Sequence, residues 1–193
     1  SFILGENSTG GAIVDYLNHK NISEDFSKNF NKTFFNYDKY NTRHAPTLTI
    51  LLSIFETLEL NDYAIRFIHL NICLILPFYF YKSLNLITKD KNIIFFLVIL
   101  IFISPTFRTL AIWPDSRLLG LAFFTVSAYE YLKFLKKKKF INCIKNIIFL
   151  SLSAYLSPNF SLFAIFYFLN FVIYYKKNYN KIFTIIFINI TLS

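Results

Sequence analysis

Apolar residues in this chain come in long blocks, and polar residues gather between them. The blocks run over residues 63–81, 93–103, 118–134, 144–156 and 160–175, with a further run at 182–192. None shows the polar/apolar alternation of a membrane barrel strand, so the blocks predict helices. A helix needs about 20 apolar residues to cross a bilayer. The run at 47–60 is shorter and predicts a partly inserted or interfacial helix with Pro46 in its first turn. Pro77 predicts a kink in its block. Ser104-Pro105 ends another block, and Ser157-Pro158-Asn159 turns the last long pair into a helical hairpin.

Residues 5–46 are the one polar region. Ile13, Tyr16 and Leu17, then Phe26 and Phe30, recur at spacings of three and four, which suits short amphipathic helices on a membrane surface. A disordered linker is the alternative, and the frequency of aromatic residues argues against it. The chain opens on Ser1-Phe2-Ile3-Leu4, which reads as the end of a span, and it contains no methionine. The expectation is therefore an internal fragment of a longer protein. Residues 1–4 would close a first span, 5–62 would form an outward loop with interfacial helices, and 63–193 would hold about five further spans, the last truncated. The predicted class is all-α, a polytopic transmembrane helical bundle.

Charge gives this bundle a direction. Twelve of the sixteen lysines fall in the regions that begin at Tyr81, Lys133 and Tyr175, including Lys136, Lys137, Lys138 and Lys139. All four arginines (Arg43, Arg66, Arg108 and Arg117) sit at the opposite ends of the same blocks. Lysine-rich short loops mark the cytoplasmic side, so the arginines and most carboxylates should face outward. A composition of 55% hydrophobic, 20% aromatic and 16% charged residues fits no ordinary soluble domain. The net charge of +9 does not point to nucleic acid, because the basic residues cluster between apolar runs and not on one face. Anionic headgroups of the lipid bilayer are their natural partners.

Several chemistries find no motif here. There is no glycine-rich phosphate loop, no Cys/His cluster with ligand spacing and no nucleophile elbow. Cys73 and Cys143 read as small buried hydrophobes. His19 and His44 read as loop residues, and His69 as a packing or hydrogen-bonding residue. What remains is an outward set: Asp15, Arg43, His44, Arg66, Arg108, Asp115 and Arg117. A guanidinium fork matches phosphate oxygens, so four arginines on one side suit a lipid-linked phosphate. Interfacial anchoring accounts for each arginine singly. A carboxylate such as Asp15 at the bilayer surface can take a proton from an acceptor hydroxyl, although a solvated loop aspartate is the plainer reading.

The order of short elements then matters. An aspartate followed by an aromatic residue (Asp15-Tyr16) precedes a polar stretch and Arg43-His44-Ala45-Pro46-Thr47-Leu48. Asn61-Asp62-Tyr63-Ala64-Ile65-Arg66-Phe67, Ile103-Ser104-Pro105 and Trp113-Pro114-Asp115-Ser116-Arg117 follow. This series resembles the N-terminal half of the C-type (GT-C) membrane glycosyltransferases, in particular bacterial relatives of protein O-mannosyltransferases and of the aminoarabinose transferase. The resemblance implies sugar transfer from a polyprenyl-phosphate donor to a lipid, glycan or protein acceptor. It implies Asp15 as the catalytic carboxylate, Arg43 and His44 near the donor phosphate and Arg66 as the arginine opening the following span; the outward set adds Arg108 or Arg117 as further expected phosphate ligands and Asp115 as an additional acidic site. It admits a divalent metal ion without requiring one. Tyr16 stands where the family has a second acid, and Ala45 replaces a proline, so Glu6, Glu24 or Asp38 stay open as alternative bases. A transporter or flippase of lipid-linked sugars, or a non-catalytic assembly protein, are the competing readings.

Overall fold

The computed structural model describes residues 11–42 and 45–192. Among them all regular structure is helical: α1 (Gly11–Lys28), α2 (Phe30–Phe35), α3 (Thr47–Thr57), α4 (Asp62–Cys73), α5 (Ile75–Ile87), α6 (Lys91–Ile103), α7 (Pro105–Ile112), α8 (Ser116–Lys137), α9 (Phe140–Leu156), α10 (Leu162–Tyr175) and α11 (Tyr179–Thr191). Short 3-10 turns occupy Tyr37–Tyr40 and Pro158–Ser161. Among the described residues, three helical segments are long and apolar enough to cross a membrane: Asp62–Ile87, Ser116–Lys137 and Pro158–Tyr175. A fourth arises if α6 and α7 form one interrupted span. The blocks suggested about five spans from residue 63 onward. The count is smaller because 144–156 folds within a 17-residue helix and 182–192 within a 13-residue one. Residues 1–4, the expected end of a first span, lie outside the described residues.

Local signals explain the boundaries. The Asn61 side chain accepts the Ala64 N–H at 2.9 Å, the Asn178 side chain that of Lys181 at 3.2 Å, and Asn29 that of Lys32 at 3.1 Å. Such caps stabilise a helix by about 1 kcal/mol each. Ser104 does the same for α7, taking the Phe107 N–H at 3.4 Å with Pro105 next in line. The kink expected from Pro77 falls at Leu74, between α4 and α5. Proline lacks the N–H that would bond the Cys73 carbonyl one turn earlier.

The chain forms two compact units, Ser1–Leu74 with Ile101–Leu119, and Ile75–Leu100 with Gly120–Ser193. In the first, α1 lies on α3. Its buried face is Ala12, Tyr16, His19, Ile22, Ser23 and Phe26, against Leu48, Thr49, Leu52 and Ser53. This is a helical stripe turned slightly from the expected one: Leu17 and Phe30 are both 47% exposed. The rotation buries two polar side chains, of which Ser23 satisfies its hydroxyl on the Lys20 carbonyl at 2.7 Å.

In the second unit, Tyr131, Phe134, Cys143, Ile147, Leu150, Tyr167, Phe171, Tyr175 and Ile185 make the core. Its rings pack in stacked, tilted and edge-to-face pairs, the last including Phe134 and Phe171 at 4.9 Å. Close approach and internal hydrogen bonds add to this packing. Asn146 Nδ2 donates to the Ser127 carbonyl at 2.9 Å and to its Oγ at 2.8 Å, while Ser127 Oγ donates to the Asn146 carbonyl at 3.0 Å. Ser153 Oγ donates to the Gly120 carbonyl at 2.7 Å. A Cβ on Gly120 would stand 3.0 Å from the Ser157 Cβ, tighter than an ordinary contact, so a larger residue would require the neighbour to give way. Cys73 and Cys143 are buried and unbridged.

Candidate functional site

The first unit brings together residues that the sequence separates by a hundred positions. The loop between α7 and α8 begins with Trp113, whose extended backbone suits the position before Pro114. Asp115 follows and is 3% exposed. Its Oδ1 accepts the backbone N–H groups of Arg117 at 2.8 Å and Leu118 at 3.2 Å, capping the first turn of α8. The same carboxylate grips the Arg117 side chain, with Nε at 3.1 and 3.2 Å and Nη2 at 2.6 Å. Arg117 Nη2 then reaches Asp15 Oδ2 on α1 at 2.9 Å. Asp115 is a fixed base for a guanidinium that presents itself to Asp15. The Asp15 and Arg117 side chains are 39% and 51% exposed, so this outer pair faces solvent.

Beneath it lies a second layer. Arg66 on α4 is buried, donates from Nε to the Ile112 carbonyl at 3.3 Å, and stacks its guanidinium 4.0 Å from the centre of the Trp113 ring. Tyr16, fully buried, packs against the same indole at 5.5 Å and donates its hydroxyl to Asp62 Oδ1 at 3.0 Å. Lys20 also pairs with Asp62, and its Nζ lies 4.0 Å from Glu56 Oε1. Burial, and then the charge of Asp62, pushes the Tyr16 hydroxyl well above the usual phenol range. The hydrogen bond to Asp62 likewise raises Lys20. Tyr16 was read as a lost second acid; it anchors α1 to the start of α4 instead.

Asp15 also lines a cavity of about 490 Å³, with Asn18, His19, Asn21, Ile22, Tyr40, Asn41 and Thr42. Tyr40 is held there by its hydroxyl, which donates to Asp25 Oδ2 at 2.8 Å and is raised in pKa by that bond. Asn41 turns the chain with φ of 50°, a left-handed conformation that asparagine tolerates. The wall carries amide side chains from Asn18, Asn21 and Asn41 and hydroxyls from Tyr40 and Thr42.

Not every expected residue joins this arrangement. Arg108 is exposed on α7, with no ion pair among the described residues. Glu24 and Asp38 are exposed as well, and among the described residues neither pairs with Arg117. Arg43, His44 and Glu6 lie outside the described residues. His69 is buried, with Nε2 2.9 Å from the Leu110 carbonyl and 3.3 Å from Cys73 Sγ, as a packing role requires. Among the described residues no group of three His, Cys, Asp or Glu side chains could hold a metal ion. Asp15 and Asp115 do not fit as a ligand pair, because the Arg117 cation already bridges them.

Sequence reasoning missed Lys20, Glu56 and Asp62, whose charges read as ordinary loop and helix-end residues. It also missed Glu130, buried within Ser116–Lys137 and paired to Lys133 at 3.0 Å. Its position inside an apolar block was the available signal. Comparison with family models, with curated proteins and with solved structures gives no match to this chain.

Proposed function

We propose that this chain is part of a membrane glycosyltransferase that moves a sugar from a polyprenyl-phosphate donor to a lipid, glycan or protein acceptor, with its site on the periplasmic side of a bacterial inner membrane. The observation that carries the reading is the Asp115–Arg117–Asp15 relay beside a polar cavity. In the resting site Asp15 occupies an Nη2 position that a phosphate oxygen can take, since both are anionic acceptors of matching geometry. The donor phosphate then displaces Asp15 from Arg117, and the freed carboxylate turns to the acceptor hydroxyl. As the acceptor oxygen bonds to the anomeric carbon, Asp15 takes its proton. The carbon–oxygen bond to phosphate breaks, its electron pair leaves with the polyprenyl phosphate, and the configuration inverts. Arg117, anchored by Asp115, stabilises the charge that gathers on the leaving phosphate. Arg66 has a positioning role here, since it is buried on the Ile112 carbonyl and Trp113. Arg43 and His44 keep the phosphate-binding role that the resemblance assigns them.

The test is Asp15→Asn in the full-length protein, assayed for transfer from a polyprenyl-phosphate sugar. Loss of a general base lowers turnover by about 10²- to 10⁴-fold, and unchanged turnover removes Asp15 from the chemistry. A second reading, a transporter or flippase of lipid-linked sugars, draws support from the buried Glu130 in Ser116–Lys137 and the buried Arg66 and His69 in Asp62–Ile87. Ionisable side chains inside spans often mark transport paths. Glu130→Gln should spare transfer under the first reading and abolish lipid movement under the second.

A further inference from the structure

Between residues 131 and 193 the chain has nine lysines and no carboxylate side chain. One of them, Lys133, pairs with Glu130, leaving eight without an acidic partner among the described residues. The fold concentrates these charges. The turn between α8 and α9 carries Lys136, Lys137, Lys138 and Lys139, and the turn between α10 and α11 carries Lys176 and Lys177, all exposed. The two turns meet, because the Tyr175 hydroxyl lies 3.5 Å from the Lys138 carbonyl and donates to it. The Lys138 ammonium sits 4.9 Å from the Tyr174 ring and 5.3 Å from Phe134. The Lys181 ammonium sits 4.9 Å from Tyr175 and 5.5 Å from Phe140. Lys138 also holds a left-handed backbone (φ 54°), a conformation a glycine would adopt with less strain. Like charges assembled this closely repel one another, so the surface calls for an anionic partner.

The surroundings decide which anion. The exposed apolar residues Ile165, Leu169 and Ile173 run along one face of α10 and end just before Lys176. Tyr174 and Tyr179, 46% and 80% exposed, flank the same end. An apolar stripe, then tyrosines, then lysines is the sequence of environments met on leaving a bilayer through its headgroups. Neither a nucleic acid nor a free anion makes use of the stripe.

We propose that the lysine-bearing end of the second unit is a docking surface for anionic glycerophospholipid, with headgroup phosphates on the two lysine turns and an acyl chain along Ile165, Leu169 and Ile173. The test reconstitutes the full chain in vesicles of phosphatidylcholine containing phosphatidylglycerol and measures the lipid retained after detergent extraction by native mass spectrometry. Phosphatidylglycerol should be enriched over phosphatidylcholine by about tenfold, and the enrichment should fall as salt is raised. Changing Lys136, Lys137, Lys138, Lys139, Lys176 and Lys177 to Gln should erase it, while the same six changed to Arg should keep it. The Arg variant and a circular dichroism spectrum separate lost binding from lost folding. Equal retention of the two lipids, or enrichment unchanged in the Gln variant, overturns the proposal. So does displacement of the lipid by inorganic phosphate or an oligonucleotide at matched charge, since either would show that the stripe plays no part.

Discussion

Asp115 supports the relay from below, and removing it has consequences that can be worked out contact by contact. Asp115→Ala deletes a helix cap that accepts two backbone N–H groups, costing about 1 kcal/mol. It also deletes the Arg117 pair, which solvent screening at a half-exposed guanidinium holds to about 1 kcal/mol at most. The expected loss is therefore about 2 kcal/mol. Asp115→Asn keeps the capping oxygen and loses only the charge, so it should cost about half as much. The assay is equilibrium unfolding of the purified chain in mixed micelles, titrated with denaturing detergent and followed by circular dichroism. Adding Asp15→Ala sharpens it. Either single variant leaves Arg117 one carboxylate, whereas the double leaves none, so the double should exceed the summed singles by about 0.5 kcal/mol or more. Equal costs for the Ala and Asn variants would refute the cap, and strict additivity would refute the shared guanidinium.

Other outcomes follow from the second unit and from titration. Asn146→Ala removes two interhelical hydrogen bonds and should destabilise by about 1–2 kcal/mol; Ser127→Ala then adds the loss of its Oγ bond to the Asn146 carbonyl but less than it costs alone, as a double-mutant cycle would show. Gly120→Ala places a methyl group 3.0 Å from the Ser157 Cβ and 3.3 Å from the Phe160 ring, and overpacking of this kind costs about 1–3 kcal/mol, read in the same unfolding assay. Tyr16, Lys20 and Tyr40 all have folded pKa values raised above their ordinary ones. Each retains its proton longer when folded, so its contribution is complete below about pH 10 and declines as pH rises further. Amide exchange in α1 should accelerate above that pH, and in Tyr16→Phe the alkaline acceleration should be smaller.

Much of the architecture was legible from the blocks. Helical class, the short apolar α3 and the Ser157-Pro158 turn follow from hydropathy and proline chemistry, which act locally. The site was legible only as a list of residues. Asp15, Asp115 and Arg117 were all candidates, yet their meeting depends on a contact across 102 positions, which no local pattern encodes. Arg66 read as a phosphate ligand because guanidinium chemistry is visible in sequence, while its cover by Trp113 is not. The face of α1 was misjudged by part of a turn because His19 and Ser23 are polar, and polar residues count against burial until their surroundings are known.

The interruption at Ser104 bears on where water reaches this chain. Restarting a helix at Pro105 leaves the Thr106 amide hydrogen with no acceptor one turn back, since proline has none, Ser104 Oγ takes that of Phe107 and Arg108 donates to the Ser104 carbonyl. Hydrocarbon leaves such groups unsolvated at a cost of several kcal/mol each. If the α6 segment enters a bilayer, hydration or polar protein surface has to extend to Ser104, however apolar its neighbours Phe102 and Ile103 are. The break would then serve as a depth gauge, limiting how far that segment sinks before wetted backbone halts it.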